Sequence, residues 1–357
     1  MAVTTKTERY NGLDLGRAIL MLLGIVFHSA LIFKVNGGWE VSNNSTSSIF
    51  NEISQYIHYF RMEAFYIIAG FFFFLVFEKH GLKATLKDRL LKLGIPLVIV
   101  GLTFNSMMNL LIDDNRSNYM GVNYILEGQW VFHLWFIGNL ILYYVLLSPL
   151  LLILCRWKKT GISNKFVLII TFILTPILVA LLSQPAANLP GRLLFVSFGA
   201  FNYYLPFFIL GMIYWKTRSI VIPFLTIQVS IVLLLVFSFL NIINQHVSIV
   251  ELSWTLSKAF DSLMNLCLAI SVICFFSSLG KNKSKMVSKL VNSSYSIYLL
   301  HQPITILIFV FLIEDLNINA YLGFFALCTL VYLSSYFLHT KIVMKYPLLL
   351  FLLNGKK

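Results

Sequence analysis

Three ionisable residues, Asp14, Arg17 and His28, lie within or at the start of the first long apolar segment. An α-helix turns 100° per residue, so Arg17 and His28 differ by about 20° in direction, and Asp14 and His28 by about 40°. The three side chains therefore share one helix face, with His28 about 16 Å further along the axis than Arg17. A buried imidazole can deprotonate a hydroxyl group as a general base. The alternative is a histidine that only hydrogen-bonds to a neighbouring helix, and the face shared with Arg17 favours a functional role.

Arg61 and Glu63 stand within the second apolar segment, at about the predicted depth of His28. Charged side chains at that depth are costly to expose to lipid and usually face a protein interior or a cavity. One interpretation is that both residues pair with other helices and are structural. The other is that Arg61 lines a reaction chamber and orients a carboxylate, carbonyl or sugar oxygen. We predict that Arg61 and Glu63 contact substrate.

Two further sets of polar and aromatic residues occur within the predicted spans, one near the outer side and one near mid-membrane. His133 and Trp135 open the fourth apolar segment, while Tyr298 and His301 are three residues apart in the ninth. Tryptophan is common in membrane-interface belts, and a buried Tyr–His pair can be a core hydrogen-bond network. We nevertheless predict substrate contacts for all four, because Trp135 can stack on a sugar ring and His301 is a second histidine near mid-membrane.

Arg89 and Lys92 stand at the predicted start of the third helix, three residues apart and therefore on one face. A helix start offers free N–H groups and the positive end of the helix dipole, which together favour phosphate. The alternative is a pair of ordinary positive membrane anchors, and spacing alone favours that alternative.

The elements that carry these residues are transmembrane helices. The 357 residues are 59% hydrophobic and only 11% charged, whereas soluble domains have about 25% charged residues. We find no internal repeat and predict one transmembrane domain over residues 1–357, without a soluble domain or a cleavable signal peptide. Ten apolar segments are each long enough to span a bilayer, at residues 16–35, 54–77, 90–112, 131–155, 165–184, 195–215, 220–242, 256–279, 291–313 and 320–340.

The distribution of basic residues predicts the orientation of these spans. Of the 27 Lys and Arg residues, 22 fall at the termini and in the even-numbered loops, which is the pattern of cytoplasmic segments. The fold class is therefore an all-α, polytopic bundle of about ten transmembrane helices with both termini in the cytoplasm. The net charge of +13 is spread in short clusters between apolar runs, so we predict a lipid bilayer as partner and no nucleic acid.

Several catalytic and metal-binding motifs are absent from the sequence. It contains no P-loop, no HExxH, no GxSxG and no metal-type Cys/His cluster, and we predict no metal. The four cysteines fit small buried apolar residues rather than a disulfide framework. They are Cys155, Cys267, Cys274 and Cys328. If the chain is an enzyme, the chemistry available is a buried histidine base with cationic anion-binding residues.

These residues resemble the motifs of membrane acyltransferase family 3. The spacing of Arg17 and His28 is similar to the first-helix motif of that family, and the segment from Leu13 to His28 is similar to its opening. Arg89-Leu90-Leu91-Lys92 resembles its RxxR motif, with lysine in place of the second arginine. Ser294 to His301 resembles its late-helix signature.

The resemblance implies transfer of an acyl group from cytoplasmic acyl-CoA to a hydroxyl of an extracytoplasmic glycan. It implies that His28 is the catalytic base and that Arg17, Arg89 and Lys92 contact the CoA phosphates; we group Asp14 with His28 as catalytic. Further segments along the chain resemble the branch that succinylates periplasmic glucans, which implies succinyl rather than acetyl transfer and a location in the bacterial inner membrane.

Alternative functions remain open at the level of the sequence. A transporter or flippase for an acylated or anionic glycan precursor would also need intramembrane His and Arg residues. A membrane scaffold in a glycan-assembly complex would tolerate replacement of His28 and Arg17. Whether His28 acts as a base or carries an acyl intermediate, and whether the protein is a homodimer, are also open.

Overall fold

A computed structural model describes residues 10–37, 39–112, 121–157, 163–186, 189, 191–246, 253–279, 284–316 and 318–355. These residues are almost entirely helical. The helices are α1 (Asn11–Phe33), α2 (Ile49–Val100), α3 (Ser106–Ile112), α4 (Val122–Leu126), α5 (Trp135–Leu146), α6 (Ser148–Arg156), α7 (Asn164–Ile169), α8 (Thr175–Ala186), α9 (Phe198–Lys216), α10 (Arg218–Val221), α11 (Ile227–His246), α12 (Trp254–Leu279), α13 (Lys285–Ile308), α14 (Ala320–Phe337) and α15 (Pro347–Asn354).

Shorter segments of tighter or wider helix connect or extend several of these elements. Turns of 3₁₀ helix occupy Gln129–Leu134 and Ile222–Phe224. Wider π-helical turns occupy Gly101–Asn105, Ile170–Leu174, Phe309–Ile313 and Leu338–Val343. Within the described residues, the strands are β1 (Arg192–Leu193) and β2 (Val196–Ser197), which form a small antiparallel hairpin pairing Arg192 with Ser197.

Eight helices in the described part of the chain are long and apolar enough to cross a membrane. One of them, Ile49–Ile112, has 64 residues and would extend about 96 Å if straight, roughly three times the hydrocarbon core. It changes direction at Gly81, whose φ of 75° falls outside the helical region, so it provides two spans. A further span is the pair Phe198–Lys216 and Arg218–Phe224, bent by 85°. Together these helices correspond to the ten predicted segments and confirm the all-α membrane bundle.

The first and last described helices meet at one face of the bundle. Tyr10, just before α1, packs edge-on against Phe71 and Trp215. Gly355, just after α15, lies against the backbone of Leu91 and Lys92. An even number of spans requires this arrangement.

The helices around the core approach closely and carry many aromatic side chains. Helices α2 and α9 cross at Gly70 and Gly211, where an added Cβ would lie 2.0 Å from the carbonyl oxygen of Phe208 or Ile67 respectively. Small residues at such crossings let helix backbones approach, which drives packing inside a membrane. Outward-facing side chains such as Phe311, which is 65% exposed, are apolar and suit contact with lipid.

Candidate active site

A cavity of about 300 Å³ lies at the end of the bundle where α1 begins. We call it the cation cavity, because its charged lining residues are Asp14, Arg17, Arg89 and Lys92. Helix α1 supplies Asp14 and Arg17, and the later part of α2 supplies Arg89 and Lys92. The structure therefore places the three predicted phosphate-binding residues and Asp14 around one cavity.

The three cations differ in their partners. Arg17 donates to the Asp14 carboxylate at 3.0 Å, and the Lys92 ammonium lies 2.6 Å from Asp88. The Nε atom of Arg89 is buried with no hydrogen-bond partner among the described residues, and its guanidinium lies 5.7 Å from the centre of the Tyr144 ring. The cavity thus holds one cation whose charge is not matched by a nearby carboxylate.

A second cavity, of about 210 Å³, lies further along α1. We call it the histidine cavity; its polar and aromatic lining includes Phe27, His28, His58, Arg61, His133, Trp135, Phe136, Tyr204 and Tyr298. The structure therefore brings His28, Arg61, His133, Trp135 and Tyr298 to one chamber, although these residues come from four separate regions of the chain.

His301 stands next to this chamber and contacts two of its histidines. Its ring centre lies 5.2 Å from that of His28 and 5.1 Å from that of His133. The Nδ1 of His301 hydrogen-bonds to the carbonyl of Tyr298, and the Nε2 of His133 to the carbonyl of Leu299 at 3.2 Å. Because a carbonyl oxygen only accepts, these two nitrogens carry the protons.

The tautomers leave two acceptor nitrogens in the buried cluster. His301 Nε2 and His133 Nδ1 each keep a lone pair, and neither atom has a hydrogen-bond partner in the described part of the chain. The Nδ1 of His28 is likewise buried and unpartnered there. Three adjacent imidazoles thus present nitrogens without a partner among the described residues, and an unprotonated nitrogen of this kind can accept a hydrogen bond or a proton.

The backbone that positions His133 is held in an uncommon conformation. Phe132, just before it, has φ 45°, a value rare for a bulky residue and often found near functional sites. Asn105 donates from its amide to the carbonyls of Trp130 and Val131 at 3.1 and 3.0 Å. The Tyr298 hydroxyl donates to the carbonyl of His133 at 2.7 Å. These bonds fix the turn that aims the imidazole at His301.

Gly24 provides the space in which the cluster meets α1. A Cβ atom at this position would lie 2.8 Å from His301 Nε2 and 3.3 Å from Arg61 Nη1. Any larger residue would displace one of these side chains. Gly24 is four residues before His28 and therefore faces the same side of α1.

The two cavities adjoin along α1. Met21, Phe65 and Phe136 line both of them. Met21 lies four residues after Arg17 and seven before His28, on the face that both residues share. One side of α1 thus runs from the cation cavity, past an apolar constriction, to the histidine cavity.

Two residues predicted as catalytic or substrate-binding lie away from the histidine cavity. Asp14 lines the cation cavity and pairs with Arg17, about 21 Å along the helix from His28. Glu63 is 1% exposed and lines neither cavity. Its Oε1 accepts from the Tyr203 hydroxyl at 3.2 Å and the Asn265 amide at 3.4 Å.

Several residues around the histidine cavity were not predicted. His58 and Tyr204 line the cavity, and the Trp39 ring lies 5.2 Å from that of His28. A signal existed for His58, since it is three residues before Arg61 and shares its helix face. Tyr204 and Trp39 carry no pattern in the sequence that would single them out from the other aromatic residues.

The described residues contain no group of three or more His, Cys, Asp or Glu that could hold a metal ion. Among them, Cys155, Cys267, Cys274 and Cys328 are free thiols.

Comparison with known proteins identifies a family over most of the chain. A family model described as an acyltransferase domain matches residues 10–340. Proteins named Glucans biosynthesis protein C from Salmonella paratyphi B, Salmonella dublin and Salmonella paratyphi A are each 28% identical over 377 residues, which cover 96% of this chain and 94% of the relative. No solved structure gives a significant match. Because the family match covers nearly the whole bundle, the chain belongs to this acyltransferase family and is a membrane-spanning acyltransferase.

Proposed function

We propose that this protein transfers an acyl group from cytoplasmic acyl-CoA to a hydroxyl group of a glucan on the outer side of the bacterial inner membrane. The observation that carries the proposal is the pair of adjoining cavities along one face of α1, one with three cations and the other with His28. The single transmembrane domain contains both, so it acts as the catalytic unit.

The cation cavity suits the phosphate groups of the acyl donor. Arg17, Arg89 and Lys92 line it together with a single carboxylate, that of Asp14. Arg89 has a buried Nε without a partner in the described part of the chain, and a phosphate oxygen would satisfy it with a charge-assisted hydrogen bond. The excess of basic residues in the predicted cytoplasmic loops supports access to this cavity from the cytoplasm.

The histidine cavity suits the chemical step. His28 accepts the proton of the acceptor hydroxyl while that oxygen attacks the thioester carbonyl carbon. A C–O bond forms, the C–S bond breaks, and the CoA thiolate leaves and takes up the proton from His28. Arg61 lines the same cavity and supplies a positive charge beside the reacting groups.

The relatives and the chamber walls support a glucan acceptor and a succinyl donor. The relatives are named for glucan biosynthesis, and the Trp135 ring in the chamber wall offers an apolar face to a sugar. Arg61 has no carboxylate partner among the described residues within ion-pair distance. It is therefore available to the distal carboxylate of a succinyl group, which favours succinyl over acetyl transfer.

A direct test uses the purified protein with labelled succinyl-CoA or acetyl-CoA and a glucan acceptor. We expect an acyl ester on the glucan, seen as a mass gain, and one free CoA thiol per ester. His28→Ala should reduce the rate by about 100-fold or more. His80→Ala is the matched control, because His80 is exposed and lines neither cavity.

The same experiment distinguishes an acyltransferase function from a transporter function. Movement of unmodified glucan across reconstituted membranes, without ester formation from either donor, would contradict acyl transfer. An ester formed at the normal rate by His28→Ala would contradict the role of His28 while leaving the overall reaction intact.

A further inference from the structure

The His301 side chain is buried against His28, yet it does not line the histidine cavity. Its Nδ1–H donates to the Tyr298 carbonyl, so its Nε2 bears the lone pair. That lone pair has no partner in the part of the chain that the structure describes. A buried acceptor left unpaired is unfavourable, so a donor is expected to reach it.

His28 offers the matching group. Its Nδ1 is buried and also lacks a partner within the described residues. The two ring centres are 5.2 Å apart, close to the separation of two imidazoles that share one N–H···N hydrogen bond. A small rotation of the rings therefore satisfies both nitrogens, provided that His28 carries its proton on Nδ1.

The other polar groups near His301 Nε2 are less suitable donors. His133 uses its N–H for the Leu299 carbonyl, so the nitrogen that remains is an acceptor. Arg61 approaches the same space beside Gly24, but its guanidinium lies over the Phe27 ring, 4.7 Å from the centroid. His28 is thus the neighbour whose unpaired Nδ1 can donate a hydrogen bond to His301 Nε2.

We propose that His301 is a positioning residue for His28. Its Nε2 accepts the Nδ1–H of His28, which turns His28 Nε2 toward the histidine cavity as the base. The same bond stabilises the imidazolium that forms when His28 accepts the hydroxyl proton, and no proton passes to His301. An aspartate has this role in serine-hydrolase triads; here a neutral histidine has it. The inference rests on the proposed function.

Two substitutions separate this role from a structural one. In His301→Gln, the side-chain oxygen reaches the position of Nε2 and can accept from His28. In His301→Asn, the amide nitrogen takes the position of Nδ1, so the variant keeps the bond to the Tyr298 carbonyl, while its oxygen takes the position of Cδ2 and lies about one bond length short of the acceptor position of Nε2. We expect kcat to fall about 100-fold in His301→Asn and less than about 10-fold in His301→Gln, with KM for acyl-CoA unchanged in both.

The contrary outcomes are distinct. Normal kcat in His301→Asn would show that the histidine acts only through its contact with Tyr298. Equal losses in both variants would show that an acceptor at the Nε2 position is not what His28 requires. If the wild type forms no ester, the proposed function fails. If His28→Ala stays active, the role of His28 as the base fails, and the present inference fails with it. If His28→Ala is inactive while His301→Asn is fully active, only the present inference fails.

A spectroscopic measurement tests the hydrogen bond without relying on activity. In the wild-type protein labelled with ¹⁵N-histidine, with the His28 signals assigned by their loss in His28→Gln, we expect the Nδ1-protonated tautomer. A His28 protonated on Nε2 would overturn the proposal. So would an unchanged tautomer in folded His301→Asn, because the donor to His301 would then be another group such as Arg61.

Discussion

Arg89 has an unusual position among the charged residues of the cation cavity, since Arg17 and Lys92 each have a carboxylate within 3.0 Å. For Arg89 the nearby partner is the Tyr144 ring, and its Nε remains unpaired among the described residues. An incoming phosphate therefore displaces no carboxylate from Arg89.

Replacing Arg89 tests which cavity holds the donor. We expect Arg89→Ala to raise KM for acyl-CoA by about 10-fold or more, equivalent to about 1.4 kcal/mol of binding free energy, with a smaller change in kcat. The KM of Arg89→Lys should lie between those of the wild type and Arg89→Ala, because lysine keeps the charge but loses the paired N–H donors of the guanidinium. Initial rates at varied acyl-CoA concentration measure both constants.

Lys87→Ala is the control, since Lys87 is exposed and outside the cavity. An equal rise in KM for acyl-CoA in Lys87→Ala would point to a general effect of surface charge.

Gly24 tests the geometry of the histidine cluster. In Gly24→Ala the new methyl group meets the ends of two side chains, His301 and Arg61, which can move without unfolding the helices. We expect kcat to fall about 10-fold or more while the thermal unfolding temperature changes little, because the group displaced supports the base. Gly199→Ala, where an added Cβ meets open space, should leave kcat and stability unchanged. Full activity in Gly24→Ala would contradict close packing at this point.

The sequence predicted the shared face of Arg17 and His28 because one helix fixes both by rotation alone. The turn of 200° from Arg61 to Glu63 indicates that the two side chains leave different sides of the helix, but it does not identify what Glu63 contacts. The hydrogen-bond partners of Glu63, which are Tyr203 and Asn265, belong to distant parts of the chain. Local spacing carries no information about such contacts.

At the scale of helices, Glu63 connects α2 to Tyr203 of α9 and Asn265 of α12. The Tyr203 hydroxyl and the Asn265 amide also hydrogen-bond to each other, at 3.1 Å, so the three side chains form one buried network. Glu63 Oε2 and Asn265 Oδ1 are buried without a partner among the described residues. Removal of Glu63 would also leave the Tyr203 hydroxyl without its acceptor, while the Asn265 amide would keep its bond to Tyr203.

Glu63→Ala should therefore destabilise the bundle by about 1–3 kcal/mol, seen as a lower thermal unfolding temperature in detergent. Glu63→Gln keeps an oxygen that can accept from Tyr203 and Asn265, so its thermal unfolding temperature should fall less than that of Glu63→Ala. In the fraction that remains folded, we expect KM values for donor and glucan close to those of the wild type. A large rise in KM for the glucan without loss of stability would instead place Glu63 at the substrate.

The spans followed from the sequence because long apolar stretches have few alternatives to a membrane helix. The helical conformation of the polar residues between the predicted segments 54–77 and 90–112, which is interrupted at Gly81, did not follow from the sequence. The break at Phe132 was also unpredictable, because no glycine or proline marks that position. It depends on Asn105, which holds the neighbouring carbonyls from another helix.

At the scale of the whole molecule, the charges assign one face of the bundle to the cytoplasm. The cation cavity lies at the face where α1 begins and α15 ends, and 22 of the 27 basic residues fall in segments predicted for that side. This prediction places the histidine cavity nearer the outer face.

Cysteine labelling in intact cells tests this orientation. In a Cys155→Ser background, which removes the exposed native thiol, we expect Asn44→Cys to react with an impermeant maleimide from outside. Met286→Cys, at a position that is 82% exposed, should react only after the membrane is permeabilised. The reverse pattern would invert the topology and place the cation cavity on the outer side.

The central claim is that a donor bound on one side acylates an acceptor on the other through His28. Its most direct test uses proteoliposomes with glucan trapped inside and labelled succinyl-CoA added outside, with protein oriented so that the cation cavity faces out. We predict labelled ester on the trapped glucan with the wild type and with His80→Ala, and a loss of about 100-fold or more with His28→Ala. Ester formation by His28→Ala at the wild-type rate, or label that never reaches the trapped glucan in wild-type vesicles, would contradict the claim.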